Sequence, residues 1–458
     1  MRRSLDVRRS ARHAPTSTAR IALLGAATFA LGIVACNALS GASDLAVCSG
    51  SDCLAPGATG EGGAGDGGLV TVDGPGDSGA DALGSSCTGN ETTCAGLVSA
   101  QCTNGNWVKT TCPKTCDATA GTCADYPSCR NAAGANCGVL GTGASCCDSS
   151  PVPGGTFNRR NLMAAPATVS PFSLDNYEVT VGRMRAFVDA GGATQLAPPA
   201  PGAGAHPKIP GSGWNPVWNA FLPPDVAALR ASFARTAPAT WTDQPGANEH
   251  LPINSVSWFL ALSFCAWDGG RLPTYAEMSF AASGGSEQRV YPWSVPASDA
   301  SIARSRAAYE CNFELPARSC PASYCSAPTT PSSPCDPLVC IAPATCVSPS
   351  CTGCAPADIA PVGSLDNGAG KWGQYDLSGN VAELVYDTDG ALPMPCVDCV
   401  HAPPSALSSG PGKPPRLNAF FLITGGGWDY AATSVLASSY STLRDDVVTD
   451  AVGFRCAR

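Results

Sequence analysis

Twenty-five of the 458 residues are cysteine, and their placement limits the possible folds more than any other feature. So many thiols do not persist by accident, so an oxidising compartment and a disulfide-stapled chain are the first expectations. Six of them, Cys87, Cys94, Cys102, Cys112, Cys116 and Cys123, crowd into one short stretch. A segment that small needs staples in place of a core. Zinc is the rival partner, but the stretch lacks histidine and paired C-x2-C knuckles, so three disulfides are expected. Within it, Gln101 to Trp107 reads as a turn between two short strands. Cys129, Cys137, Cys146 and Cys147 carry the stapled module on, giving it bounds of 87–150. Eight more cysteines, from Cys311 to Cys354, sit among prolines and mark an insertion held by its own disulfides.

The N-terminus explains the odd cysteine. Arg2, Arg3, Arg8, Arg9, Arg12 and Arg20 precede an apolar run from Ile21 to Ala35, too short for a membrane span and of signal-peptide length. The run ends Ile33-Val34-Ala35-Cys36, which resembles a bacterial lipobox. Residues 1–35 are therefore expected to be a lipoprotein signal peptide and Cys36 the acylated first residue. The competing reading is ordinary cleavage with Cys36 as a disulfide partner, but setting Cys36 aside leaves an even number of cysteines. The expected location is a bacterial cell envelope, on its periplasmic or cell-surface side, with the membrane engaged by the lipid anchor only.

Residues 36–86 are Gly-, Ala- and Asp-rich. From 37 onward they hold no Lys, Arg or aromatic residue, which reads as a flexible linker. Its Gly60-x-Gly62-x-x-Gly65 spells a dinucleotide fingerprint without the flanking strand and helix, so it is composition only. The 50 glycines, 40 prolines and 14% charged residues of the whole chain predict a loop-rich molecule and exclude a helical bundle. A net charge of −9 speaks against a nucleic-acid footprint.

Residues 151–458 read as one mixed domain of α+β class. Asp175 to Val179 looks like a strand, and Thr180 caps a helix with Val181, Met184, Phe187 and Val188 on one face. Ser257 caps a second helix ending at Gly269-Gly270, and Thr274 to Glu277 is a capping box for a third. Mature histidines are scarce (His206, His250, His401) and none has metal-ligand spacing to another, which argues against His-based iron or zinc sites. There is no nucleophile elbow and no phosphate loop. Cys351-Thr352-Gly353-Cys354 and Cys396-Val397-Asp398-Cys399 could spell redox pairs, but no helix follows either to lower a thiol pKa, so both read as structural disulfides. Asp376 and Glu383 flank a glycine turn, with the carbonyls of Gly379 and Val381 between them. That all-oxygen set suits Ca2+, although acidic residues at a turn are more often simply solvated.

Residues 153 to 458 resemble the formylglycine-generating enzyme, or sulfatase-modifying factor, family. The matching stretches occur in family order: Leu174 to Thr180, Pro252 to Trp258, Cys265-Ala266-Trp267, Arg271 to Glu277 and Tyr291-Pro292-Trp293. They continue through Pro361 to Ser364, Gly379-Asn380-Val381, Gly425 to Trp428 and Gly453 to Cys456. The resemblance implies a loop-rich variant of the C-type lectin fold. It implies a structural Ca2+ at Asp376, Gly379, Val381 and Glu383, and a disulfide between Cys265 and Cys456. The family's second disulfide would join positions now held by Ala282 and Tyr440.

The family's copper-binding cysteine pair falls on Tyr430 and Val435, and the Asn before its Gly-Phe-Arg on Ala451. Soft thiolates select Cu(I), and no cysteine lies between Cys399 and Cys456. Copper and formylglycine chemistry are therefore not expected. The leading expectation is a surface lipoprotein using the fold as a binding or structural module for a protein, peptide or glycan. The alternative is a divergent formylglycine-generating or other metal-dependent oxidoreductase.

Overall fold

A computed structural model describes residues 86–458 apart from 96–97, 118, 131–136, 139–143, 314–324, 327–344, 347–355 and 408–415. The signal segment, Cys36, the linker and the Cys351–Cys354 pair lie outside the described residues.

The stapled module opens with β1 (Thr92–Ala95), β2 (Val98–Thr103) and β3 (Asn106–Thr111), an antiparallel meander. Its second turn is Asn104-Gly105, both at positive φ, the conformation a two-residue hairpin turn needs. β4 (Thr115–Asp117) then pairs with β5 (Thr122–Ala124). Three disulfides staple these strands as Cys87–Cys102, Cys94–Cys116 and Cys112–Cys123. Two more, Cys129–Cys147 and Cys137–Cys146, follow. The latter half of the module is tied into the larger domain: Ser128 donates its N–H to Asp268 Oδ1 at 2.9 Å, and Arg183 Nε donates to Ser128 Oγ at 3.0 Å. β6 (Ser149–Val152) crosses residue 150 without a break and pairs antiparallel with β9 (Phe172–Asp175), while β7 (Gly155–Asn158) and β8 (Pro166–Val169) form a hairpin between them in sequence.

The strand expected over Asp175–Val179 ends at Asp175 instead. The chain bends there because Asn176 donates to the Asp148 carbonyl and Val179 to that of Phe454, partners on different segments. Helix α1 (Val181–Asp189) follows with the expected cap, Thr180 Oγ1 accepting from Arg183 N–H, and buries the predicted face. α2 (Val226–Ser232) is capped by Asp225 and α3 (Trp258–Trp267) by Ser257. α4 (Tyr275–Ala282) has both halves of the capping box between Thr274 and Glu277.

Inside the insertion the two-residue strands β10 (Cys325–Ser326) and β11 (Thr345–Cys346) pair. β12 (Ala382–Thr388) is buried along its length and centres the largest sheet. β13 (Cys396–Val397) runs parallel to β8. β14 (Phe420–Thr424), β15 (Tyr440–Arg444) and β16 (Val452–Gly453) complete the main sheet in the order β15-β14-β12-β16. α3 is apolar all round and lies in the core, where Trp258 stacks on Phe421 at 4.3 Å and donates its indole N–H to the Val385 carbonyl at 2.8 Å. The Cys265–Cys456 disulfide is formed, joining α3 to the segment after β16 across 191 residues. The architecture is α+β and loop-rich. Among the described residues no helix is long and apolar enough to cross a membrane.

Candidate functional site

Two places in the fold gather the residues singled out above. The first is the turn before β12. Asp376 and Asn380 take left-handed backbone conformations, and Gly379 does so where a Cβ would meet the Ala308 carbonyl at 2.3 Å. That glycine is required by close approach as well as by φ. The turn is clamped from both sides: Asn380 N–H donates to Ala308 O, Gly379 N–H to Gly425 O, and Trp428 N–H to Asn380 O.

The carboxylates of this turn are buried. Asp376 accepts the Gly363 N–H at 2.6 Å. Glu383 is held on both oxygens by Arg455, at 2.6 and 2.7 Å. The remaining guanidinium protons of Arg455 go to the carbonyls of Asp175, Asn176 and Tyr375, so all five of its donors are used. Glu178 accepts from Asn380 Nδ2 at 2.6 Å and from Val381 N–H at 3.0 Å. Burial, followed by the charges of Asp376 and Glu383, pushes Glu178 well above the usual carboxylate range. Burial pushes Asp376 up to about 6 against the Gly363 N–H and Arg455, which pull it down. Three buried carboxylates thus share one guanidinium, an excess of negative charge that a cation would relieve. Asp376 and Glu383, with the main-chain carbonyls of Gly379 and Val381 between them in the chain, are the oxygen donors that would hold Ca2+. Such an ion would contribute charge compensation and rigidity, with Glu383 serving both Arg455 and the ion.

Glu178 and Arg455 were not assigned a role from sequence. Both are charged residues inside otherwise apolar motifs, Tyr177-Glu178-Val179 and Phe454-Arg455-Cys456, and that was the available signal.

The second place follows the Gly425-Gly426-Gly427-Trp428 turn. Tyr430 and Val435 stand in the stretch that follows it. Val435 is fully buried in an apolar cluster with Tyr291, Trp293, Ile302, Ala307 and Tyr309, and Tyr430 packs against it. Burial, followed by Asp429 and Asp450, raises the Tyr430 phenol, so it stays protonated. Ala451 packs beside Trp428 and Cys311. The cleft at Tyr430 has a volume of about 240 Å³ and is lined by the hydroxyl-bearing residues Thr433, Ser434, Ser439, Tyr440 and Ser441 and by Ala382 and Ile423. An isopropyl group and a neutral phenol offer Cu(I) no thiolate, and the fifteen cysteines whose side chains are described are all disulfide-bonded. The residues present do not fit copper.

The histidines take structural positions. His206 Nε2 contacts Glu277 at 3.2 Å, and His401 Nδ1 meets Thr388 Oγ1 at 2.9 Å. His250 lies near Cys137 and Cys146, but those two sulfurs are joined in a disulfide and cannot act as thiolate ligands.

The family model described as the sulfatase-modifying factor enzyme 1-like domain (FGE-sulfatase) matches residues 141–458. This chain belongs to that family. Over 142 residues it is 32% identical to the inactive C-alpha-formylglycine-generating enzyme 2 of Mus musculus, covering 28% of this chain and 42% of that protein. Over 167 residues it is 31% identical to the formylglycine-generating enzyme of Thermomonospora curvata, covering 31% of this chain and 50% of that one. The chain thus spans about half the length of these relatives or less. Among solved structures, PvdO from Pseudomonas aeruginosa aligns over 67% of this chain and 92% of its own, at 16% identity and a TM-score of 0.36. CarF aligns over 68% and 97%, at 17% identity and a TM-score of 0.32.

Proposed function

We propose that this protein is an envelope-anchored lipoprotein whose FGE-sulfatase domain is a binding or structural module without formylglycine-generating activity. The observation that carries this reading is the pair Tyr430 and Val435 where the oxidase needs two thiolates. Val435 is built into an apolar cluster, so its position is a packing site and holds no ligand. The cleft of hydroxyl-bearing residues beside it suits a polar ligand such as a glycan or peptide. Ca2+ at Asp376, Gly379, Val381 and Glu383 serves the fold. Cys36 carries the lipid.

The test is to incubate the purified protein with copper, a reductant and a cysteine-containing sulfatase peptide. No formylglycine is expected by mass spectrometry, and metal analysis should return calcium without copper or iron. Stoichiometric copper with turnover would overturn the reading in favour of a divergent oxidase.

A further inference from the structure

The Cys396–Cys399 disulfide is not isolated in a loop. β13 brings it against the β7–β8 hairpin, where Arg159 points its guanidinium at it. Arg159 is 1% exposed, and its Nη1 donates to Cys399 Sγ at 3.6 Å. Its other donors go to the carbonyls of Ala165, Pro166 and Pro393 and to Met394 Sδ, all neutral acceptors. Among the described residues no carboxylate lies within ion-pair distance of it. Asp387 is the carboxylate whose charge reaches it, without closing to an ion pair, so this buried cation still favours negative charge that forms beside it, and reduction forms one on Cys399. The general effect of such a cation is to stabilise the reduced form and make the disulfide a stronger oxidant.

The surroundings supply a docking face. Val397, between the two cysteines, is 67% exposed, and Leu162 and Met394 beside Arg159 are each 52% exposed. Exposed apolar side chains grouped this way mark contact with another polypeptide, and methionine adapts to varied partners. Cys396 is buried while Cys399 is half-buried, so Cys399 is the sulfur a partner can reach.

We propose that Cys396–Cys399 is a redox-active couple that accepts two electrons from protein thiols, with Arg159 stabilising the Cys399 thiolate. A substrate thiolate attacks Cys399 Sγ, a substrate–Cys399 disulfide forms, and the Cys396–Cys399 bond breaks with its electron pair on Cys396. A second substrate thiolate then attacks the substrate sulfur of that mixed disulfide and expels Cys399 as the thiolate facing Arg159. The substrate pair leaves as a disulfide, oxidised by two electrons. Its two protons pass to Cys396 and to solvent.

The test uses the full chain in a glutathione redox buffer, with each disulfide followed by alkylation and peptide mapping. Cys396–Cys399 should be reduced at ratios that leave the buried Cys265–Cys456 bridge intact. Equal resistance of the two would overturn the proposal. Arg159→Gln should move the equilibrium about tenfold toward the disulfide, the equivalent of one pKa unit, while Arg159→Lys should retain most of the wild-type behaviour. An unchanged equilibrium in Arg159→Gln removes the role of Arg159. Should that variant fail to fold, the pH profile of Cys399 alkylation in the selectively reduced wild-type protein decides. A midpoint well below the ordinary thiol value of about 8.5 supports the proposal, and one at or above it overturns it. A reduced dithiol peptide flanked by leucines should react faster than the same peptide flanked by serines, and equal rates would refute protein thiols as the substrate class.

Discussion

Asp387 shows how a single residue contributes to the pH response of the domain. Its carboxylate is buried, accepts the Tyr275 N–H at the start of α4 at 2.7 Å, and takes the His401 N–H at 3.0 Å. Burial pushes it up to about 7 despite these bonds and Arg159 nearby. Because the folded value lies above the ordinary 3.8, the folded state holds the proton more tightly. The associated stability is present in acid and is lost as pH rises through about 7. In Asp387→Asn the fall in unfolding free energy between pH 4 and 7 should flatten, by an amount on the order of a few kcal/mol, when measured by urea titration at each pH. An unchanged slope would show that Asp387 is not the responsible group. Glu277 behaves in the opposite way. Burial alone would raise it, but Arg271 and His206 hold it at about 2, so it stays charged through the physiological range. At the proposed cation site, Asp376→Ala should abolish any drop in melting temperature that a calcium chelator causes in the parent protein. A chelator effect surviving in the variant would place the ion elsewhere.

Elements whose signals are local were legible in the sequence. Thr180, Ser257 and Thr274 cap the helices they were expected to cap, because an N-cap is decided within four residues. Thr274→Ala should therefore cost the domain about 1 kcal/mol, checked by thermal unfolding. The hairpin at Asn104-Gly105 was readable for the same reason. Asp175 to Val179 reads as a strand but is not one, because its hydrogen-bond partners, Asp148 and Phe454, are distant in sequence and lie on different segments. The same distance hid the clasp of Arg455 on Glu383 and the approach of Arg159 to Cys399, which lies 240 residues away. The proposed cation ligands and the positions Tyr430 and Val435 are singled out in the sequence only through family motifs. Their electrostatics are not readable there, since these depend on which charges become buried together.

On the scale of the whole molecule, the N-terminal half of the proposal depends on Cys36. Cys36→Ser should leave the chain unprocessed or release it from the membrane fraction, since anchoring by acyl chains is lost with the thiol. A processed variant that still sediments with membranes after alkaline washing would refute lipid anchoring. The bridge between Cys265 and Cys456 has a further consequence in the order of synthesis. A chain exported N-terminus first exposes Cys265 long before Cys456, and the eight insertion cysteines and the Cys396–Cys399 pair emerge in between. The other mapped bridges have separations of 3 to 22 residues and can close as they appear. Cys265 must wait as a thiol among many competitors until β16 docks beside β12. Production of this protein in correct form should therefore depend on a host that can reshuffle wrong bridges, and not merely on one that can make them.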